Sequence, residues 1–189
     1  MLYPEESENY ELGVNGTYDR WFWDLAVYQM DIDNLIASGQ IGGVDTPVNV
    51  NEARIRGTEL SGGYEFDGWR TAIALTYMDP EDRETGKQLR RLTKQTARVD
   101  LDKSVGNFVF GGSVIAEGER YDDAANNNEL PGFATLDLRA GWHFAPGWST
   151  RLTLANVLDK EYSTARKSAT QNYIAAGRTG MLTVRYDLH

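Results

Sequence analysis

From Trp148 to Leu188 the chain holds two runs of strict apolar–polar alternation. In the final run Leu182, Val184, Tyr186 and Leu188 share one face, and Met181, Thr183, Arg185 and Asp187 share the other. In the first run Trp148, Thr150, Leu152 and Leu154 oppose Ser149, Arg151 and Thr153. Successive side chains of a strand point to opposite sides, so a period of two marks a strand with unlike faces. The connection between the runs is about twenty residues, where a hairpin loop usually takes two to five. A two-faced hairpin closed by a long polar loop is the repeating geometry of the whole chain, and no sequence repeat accompanies it.

The same pattern extends back to the start. Residues 1–7, with Pro4 and an acidic run, read as loop, and Met1 as an added start. Tyr10, Leu12, Val14, Gly16 and Tyr18 form one face of a first strand. Asp19-Arg20 turns the chain into Trp21, Trp23, Leu25 and Val27, whose other face (Phe22, Asp24, Ala26, Tyr28) is only half polar. Asp33 to Asn51, with Gly39, Gly42, Gly43 and Pro47, reads as a long loop. A third strand runs from about Ala53 to Phe66, and Asp67-Gly68 is a strong two-residue hairpin signal. Thr71, Ile73, Leu75 and Tyr77 mark the fourth strand, before a charged loop from Asp79 to Leu92. Ala97, Val99 and Leu101 mark the fifth, Val105-Gly106 a turn, and Phe108, Phe110, Gly112, Val114 and Ala116 the sixth. Gly118 to Pro131 is a loop rich in Asp and Asn. The seventh strand sets Ala134, Leu136, Leu138, Ala140, Trp142 and Phe144 against Thr135, Asp137, Arg139, Gly141 and His143. Ala145-Pro146-Gly147 then turns into the opening hairpin. The reading is an all-β, antiparallel, up-and-down meander of about nine long strands. Connections after odd strands are tight and those after even strands are long. In a meander, alternate connections lie at the same end, so one rim carries the turns and the other the loops.

Alternation alone does not say which face is wet. A soluble sandwich or lipocalin-like barrel buries the apolar face; a membrane barrel turns it to lipid and the polar face to the lumen. Strands of about ten residues or more exceed the usual five or six and match what a bilayer requires. Aromatics gather near the tight turns (Tyr18, Trp21, Tyr64, Trp69, Phe108, Trp142, Trp148), as an interfacial girdle does. Mean hydropathy is −0.51, a weak argument for solubility because barrels hide their signal in alternation. No apolar run approaches the roughly 18 residues of a membrane helix, and no cationic segment leads into an apolar run as a secretory signal would. The absence of cysteine excludes disulfides and thiolate chemistry. A net charge of −9 argues against nucleic acid, which needs a basic stripe.

Several groups bear chemistry. Asp79, Glu81, Asp82 and Glu84 offer hard oxygen ligands, but their spacing fits no calcium motif. Asp122, Asp123 and Asn126 to Asn128 have the same reading, so no metal site is expected. Arg90, Arg91 and Lys94 are suited to phosphate or another anion, or form a loop charge cluster. Tyr121, Tyr162 and Tyr173 are loop aromatics available to a ligand. On the polar face Glu59, Arg98, Asp100, Asp102, Asp137, Arg139 and Arg185 either line a ligand path or pair across strands, as opposite charges do. His143 is lone. No Ser-His-Asp set, zinc motif or phosphate loop appears, so the chain reads as a non-enzyme with no cofactor.

Asn156-Val157-Leu158-Asp159-Lys160-Glu161-Tyr162 resembles a segment near the end of TonB-dependent outer-membrane receptors. Ala176-Gly177-Arg178 is similar to that family's approach to its final strand. Asn51-Glu52-Ala53-Arg54-Ile55-Arg56-Gly57-Thr58-Glu59-Leu60 resembles its Ala-x-x-x-Gly-x-Glu strand, and Leu89-Arg90-Arg91-Leu92 the loop exit of its cobalamin and siderophore members. Tyr3-Pro4-Glu5 onward is similar as well, and the likeness is nearest to the vitamin B12 (cobalamin) receptor group. The resemblance implies that residues 1–189 are the C-terminal segment of a transmembrane barrel of about 22 strands with a plugged lumen. Plug and remaining strands, and the N-terminal box that engages the TonB energy-transducing system, lie elsewhere. It implies an outer-membrane active-transport receptor for a scarce metal chelate, cobalamin or an iron–siderophore, in contact with membrane lipid and lipopolysaccharide. It implies a periplasmic C-terminus and extracellular long loops. Tyr186-Asp187-Leu188 departs from the family's aromatic end, and His189 follows it.

Overall fold

The computed structural model describes residues 2–41, 44–168 and 171–188. The strands are β1 (Glu6–Tyr18), β2 (Trp21–Ile41), β3 (Val44–Phe66), β4 (Trp69–Asp82), β5 (Lys87–Gln88), β6 (Gln95–Val105) and β7 (Phe108–Glu117). They continue as β8 (Arg120–Tyr121), β9 (Glu129–Leu130), β10 (Phe133–Ala145), β11 (Trp148–Ala155), β12 (Ser163–Ser168), β13 (Gln171–Ile174) and β14 (Thr179–Tyr186). The long strands form one antiparallel sheet in the order β1-β2-β3-β4-β6-β7-β10-β11-β14, with β5 beside β4. This is the meander of about nine strands expected from the alternation. The short pairs β8–β9 and β12–β13 stand apart within the loops.

Each tight turn has two central residues. Asp67 (φ 47) and Gly68 (φ 72) both take positive φ, as a type I′ hairpin requires. Pro146 precedes Gly147, whose φ is 75, the arrangement of a type II turn. Val105 pairs with Phe108, so the third turn is Gly106-Asn107 and not Val105-Gly106. The positive φ of Gly106 belongs inside the turn rather than on the strand. Neighbouring turns are tied together along the rim. The amide of Glu65 donates to the Arg20 carbonyl at 3.1 Å, Ser104 to Gly68 at 2.8 Å, His143 to Asn107 at 2.9 Å and Asp187 to Gly147 at 2.9 Å.

The loop end is more ordered than the sequence reading holds. Asp33 to Asn51 is not a loop: β2 and β3 stay paired from Leu35 and Val50 to Ile41 and Val44, forming a two-stranded ribbon beyond the sheet. β4 ends opposite Ala53, so β3 has one partner above that level and Pro47 can turn its missing donor away from the ladder. Gly42 and Gly43, like Met1 and His189, lie outside the described residues. The charged loop after Tyr77 is shortened likewise, because β4 runs to Asp82.

The two faces sort as the alternation predicts, with the apolar side chains on the outside. Leu138 is 44% exposed, Val184 59% and Tyr186 51%; all five tryptophans stand in the same exposed class. Among the described residues the buried apolar side chains are Ala26, Ile32, Ala53, Leu130 and Pro80. That set is too small for the interior of a soluble sandwich, which would bury the apolar face of every strand. Near the turns the outer aromatics touch in sequence: Phe108 and Trp142 centroids are 5.8 Å apart, Trp142 and Phe144 5.4 Å, Trp148 and Tyr186 4.7 Å.

Candidate functional site

The inner face carries a charge network set by register. Asp102 of β6, Gly111 of β7 and Arg139 of β10 are lateral neighbours, as are Asp100, Ser113 and Asp137. Arg139 grips Asp102 in bidentate fashion, Nε to Oδ1 at 2.6 Å and Nη2 to Oδ2 at 2.7 Å. The pair spans the strand between its members, and only a glycine leaves it room: a Cβ at Gly111 would strike the Asp102 carboxylate and Arg139 Nε. Arg139 Nη1 donates to Ser113 Oγ at 2.5 Å, and Ser113 donates to Asp100 at 2.5 Å. Arg98 closes the set with bonds of 2.7 and 2.9 Å to Asp100. Asp137 accepts the Asn156 amide at 2.8 Å.

Of the inward charges singled out from sequence, Arg98, Asp100, Asp102 and Arg139 are therefore brought together: Arg139 reaches across from β10 to Asp102 and Asp100, while Arg98 and Asp100 pair along β6. Glu59 faces Ala26 and Thr76, away from the network. Arg185 pairs locally with Asp187 at 2.7 Å. The network lines a concavity of ≈ 1220 Å³ together with Arg20, Glu65, Arg70 and Arg151.

The second grouping lies in the loops. Arg91 Nε donates to Asp122 at 2.8 Å, and the Arg91 amide donates to the Tyr121 carbonyl at 2.6 Å. The same Asp122 oxygen accepts the Arg166 amide at 2.9 Å. Gln88 and Asn126 exchange two hydrogen bonds of 2.9 Å each. Burial pushes the Asp122 carboxyl up, but Arg91 and the Arg166 amide outweigh it and hold the group below its ordinary value. Burial likewise opposes ionisation of Asp123, and the Asn128 and Asn127 amides bring it down. The Asp79 carboxylate, 2.6 Å from Lys94, raises that ammonium's pKa.

The loop candidates thus divide. Arg90, Arg91, Tyr121, Asp122 and Asp123 gather in one place, with Arg90 adding to the positive field on Asp122. Tyr162 is instead stacked on Phe133, centroids 3.8 Å apart, and Tyr173 is exposed on β13. Among the described residues no three His, Cys, Asp or Glu side chains gather as a metal site would need. Sequence reasoning missed Arg166 and Arg120. The first is found only by contact across 44 residues. The second is buried against Phe133 and bonded to Glu117.

The segment Asn156 to Tyr162 acts as a structural joint. Asn156 (φ 49) and Asp159 (φ 54) take the left-handed region, which Asn and Asp tolerate. The Asn156 side chain bonds both backbone groups of Lys160, at 2.9 Å each. Asp159 accepts the Arg178 amide at 2.8 Å, so this segment sets the chain's path into β14.

These features are those of a barrel wall with a charged inner face, and the sequence comparison agrees. The family described as "TonB dependent receptor-like, beta-barrel" matches residues 2–157. The chain belongs to this family. A curated relative in it, the vitamin B12 transporter BtuB of Photobacterium profundum, is 34% identical over 166 residues, 85% of this chain and 27% of the relative. BtuB of Vibrio vulnificus is 26% identical over 98% of the chain and 30% of its own length. Among solved structures, the copper transporter OprC superposes with a TM-score of 0.82 at 20% identity, over 98% of this chain and 32% of that one. The ferric yersiniabactin uptake receptor FyuA of Yersinia pestis gives 0.82 at 21%, over 98% and 30%. The chain thus spans less than a third of the length of these relatives. It is a segment of a TonB-dependent receptor barrel.

Proposed function

We propose that this chain is the C-terminal barrel segment of an outer-membrane active-transport receptor for a scarce metal chelate, with cobalamin the first candidate and an iron–siderophore the second. The observation that carries the membrane reading is the sheet's exposed apolar face joined to two unpaired edges, β1 and β14. An unsatisfied backbone group costs several kcal/mol in lipid, so further strands complete the barrel, to about 22 in all. The outward face meets membrane lipid and lipopolysaccharide. The inner face meets a plug carried elsewhere in the receptor, which also holds the box that engages the TonB system. The C-terminus is periplasmic and the long loops are extracellular, where they contribute part of the ligand site. The segment forms wall and loops and performs no chemistry.

The identity to a vitamin B12 transporter supports cobalamin over the other chelates. Binding to the complete receptor in detergent tests this: cyanocobalamin should bind saturably, and a ferric siderophore in excess should not displace it. Saturable binding of the siderophore alone would overturn the cobalamin assignment. Loss of solubility on removing detergent is expected; a monodisperse detergent-free protein would overturn the membrane reading.

A further inference from the structure

The inner row of β2 is unlike the charged inner rows of β6 and β10. It runs Phe22, Asp24, Ala26, Tyr28, Met30 and Ile32, so a single charge interrupts five apolar positions. Toward the loop end the register widens this row across β3 and β4. Met30 lies beside Ile55, which lies beside Pro80, and Tyr28 lies beside Gly57, which lies beside Met78. Lower down, Glu59 and Thr76 follow Ala26, and the strip narrows to β2.

Two aromatic rings lie over glycines of β3. A Cβ at Gly57 would strike the Tyr28 ring, and one at Gly63 the Phe22 ring, so both rings cover the neighbouring strand instead of standing into the lumen. The strip is thereby smooth as well as apolar. Gly111 serves the opposite end, since it makes room for the Arg139–Asp102 crossing. Phe22 is 43% exposed, and Tyr28, Met30, Ile55 and Met78 are half-buried. Lipid does not reach the inner face. Water against such a strip is unfavourable, and contiguous exposed apolar surface marks a contact with a partner.

The length of the strip selects the partner. Phe22 to Ile32 covers ten steps of strand, roughly 33 Å, and a small chelate would cover only part of it. Nine of about 22 strands is two fifths of a barrel, yet 98% of this chain matches only 30% of the Vibrio vulnificus relative. About a quarter of that relative is therefore chain that the wall does not need, enough for a folded domain. The charged side of the lumen asks for no such cover. Arg98, Asp100, Asp102 and Arg139 bond among themselves. Covering the exposed Arg98 and Arg151 guanidinium groups with apolar surface would strip them of water at a cost.

We propose that the plug of the complete receptor seats by apolar contact on the β2–β3 strip and leaves the charged concavity along β6, β10 and β11 filled with water. This rests on the reading of the chain as a receptor wall, and adds which side of the lumen is dry.

Cysteine accessibility in the complete receptor, in bilayers and without added chelate, tests this; the present chain has no cysteine of its own. Met30, Met78 and Thr153 are all half-buried in the wall, and Thr153 lines the concavity. A charged methanethiosulfonate reagent should modify Thr153→Cys on the order of tenfold faster than Met30→Cys or Met78→Cys. Equal rates would overturn the proposal, whether fast at all three, with no seat on the strip, or slow at all three, with no open side. A benzophenone amino acid in place of Met30 should cross-link to chain that lies outside the barrel strands. Cross-links to wall strands alone would overturn the seat, as would protection of Met30→Cys that appears only with cyanocobalamin bound. Should Met30→Cys fail to assemble, Met78→Cys carries the comparison. Leu75→Cys, on the outer face, should stay unmodified by the charged reagent; rapid modification there would sink the membrane reading itself rather than the seat.

Discussion

In the wall, Ile73, Leu75 and Tyr77 of β4 stand outward and exposed while Ala72, Ala74 and Thr76 look inward at small or charged neighbours. At the loop end, Ile32, Ala53, Pro80 and Leu130 are buried, and side chains bond across strands and loops. The wall is held by its backbone ladder and by the inward Arg139–Asp102 crossing, behind an apolar outer face suited to lipid. The loop end is held by its own side chains, in the manner of a small soluble core. A substitution that is harmless in one region is therefore costly in the other, and the difference can be pressed experimentally.

The sharpest contrast uses adjacent residues. Leu75→Lys puts a charge on the outer face near the middle of β4 and should cost about 2–4 kcal/mol of folding stability in bilayers. Thr76→Lys, one residue on and opposite Glu59, should change it by about 0.5 kcal/mol or less. Equal costs would mean that the faces are not as different as the alternation says. Gly111→Val comes next. It drives a side chain into the Arg139–Asp102 crossing and should destabilise the barrel by about 1–3 kcal/mol, read from urea unfolding in detergent micelles. Asp159→Ala removes the acceptor of the Arg178 amide and puts Ala at a positive φ, for a loss of about 1–2 kcal/mol. It should show as faster exchange at Arg178 and Thr179.

The smallest effect is expected from pH. Asp122 has a lowered pKa in the folded loops, with Arg91, Arg90 and the Arg166 amide facing it and Asp123 beside it. A depressed carboxylate contributes stability that is full above its unfolded value, 3.8, and is lost as pH falls through the folded value. Exchange at 120–130 should therefore rise only in acid below that range, while the wall stays protected. Loosening between neutral pH and the ordinary carboxylate range would contradict the sign.

The same contrast explains what could be read from the sequence. In the wall each residue's environment follows from its parity, so Leu138 and Val184 outside, and Asp100 and Arg139 inside, were legible from a period of two. At the loop end position is decided by distant contacts. Tyr162 reads as a free loop aromatic, yet Phe133 occupies its ring. Gly39 and Pro47 read as loop breakers, yet a ribbon paired beyond the sheet accommodates both. Arg166 carries no local signal, because what defines it is an oxygen on another loop. The acidic and Asn-rich stretch from Asp122 to Asn128 did announce turns, though not that one of its carboxylates would gather three loops.

The outward orientation of the apolar face is tested most directly by its five tryptophans, Trp21, Trp23, Trp69, Trp142 and Trp148, all of them exposed. In the complete receptor, reconstituted in bilayers whose acyl chains carry bromine, their fluorescence should be strongly quenched, and aqueous iodide should have little effect. Quenching by iodide with none by bromolipid would place those faces against water, and quenching by neither would place them in a sealed interior; either result would contradict the account.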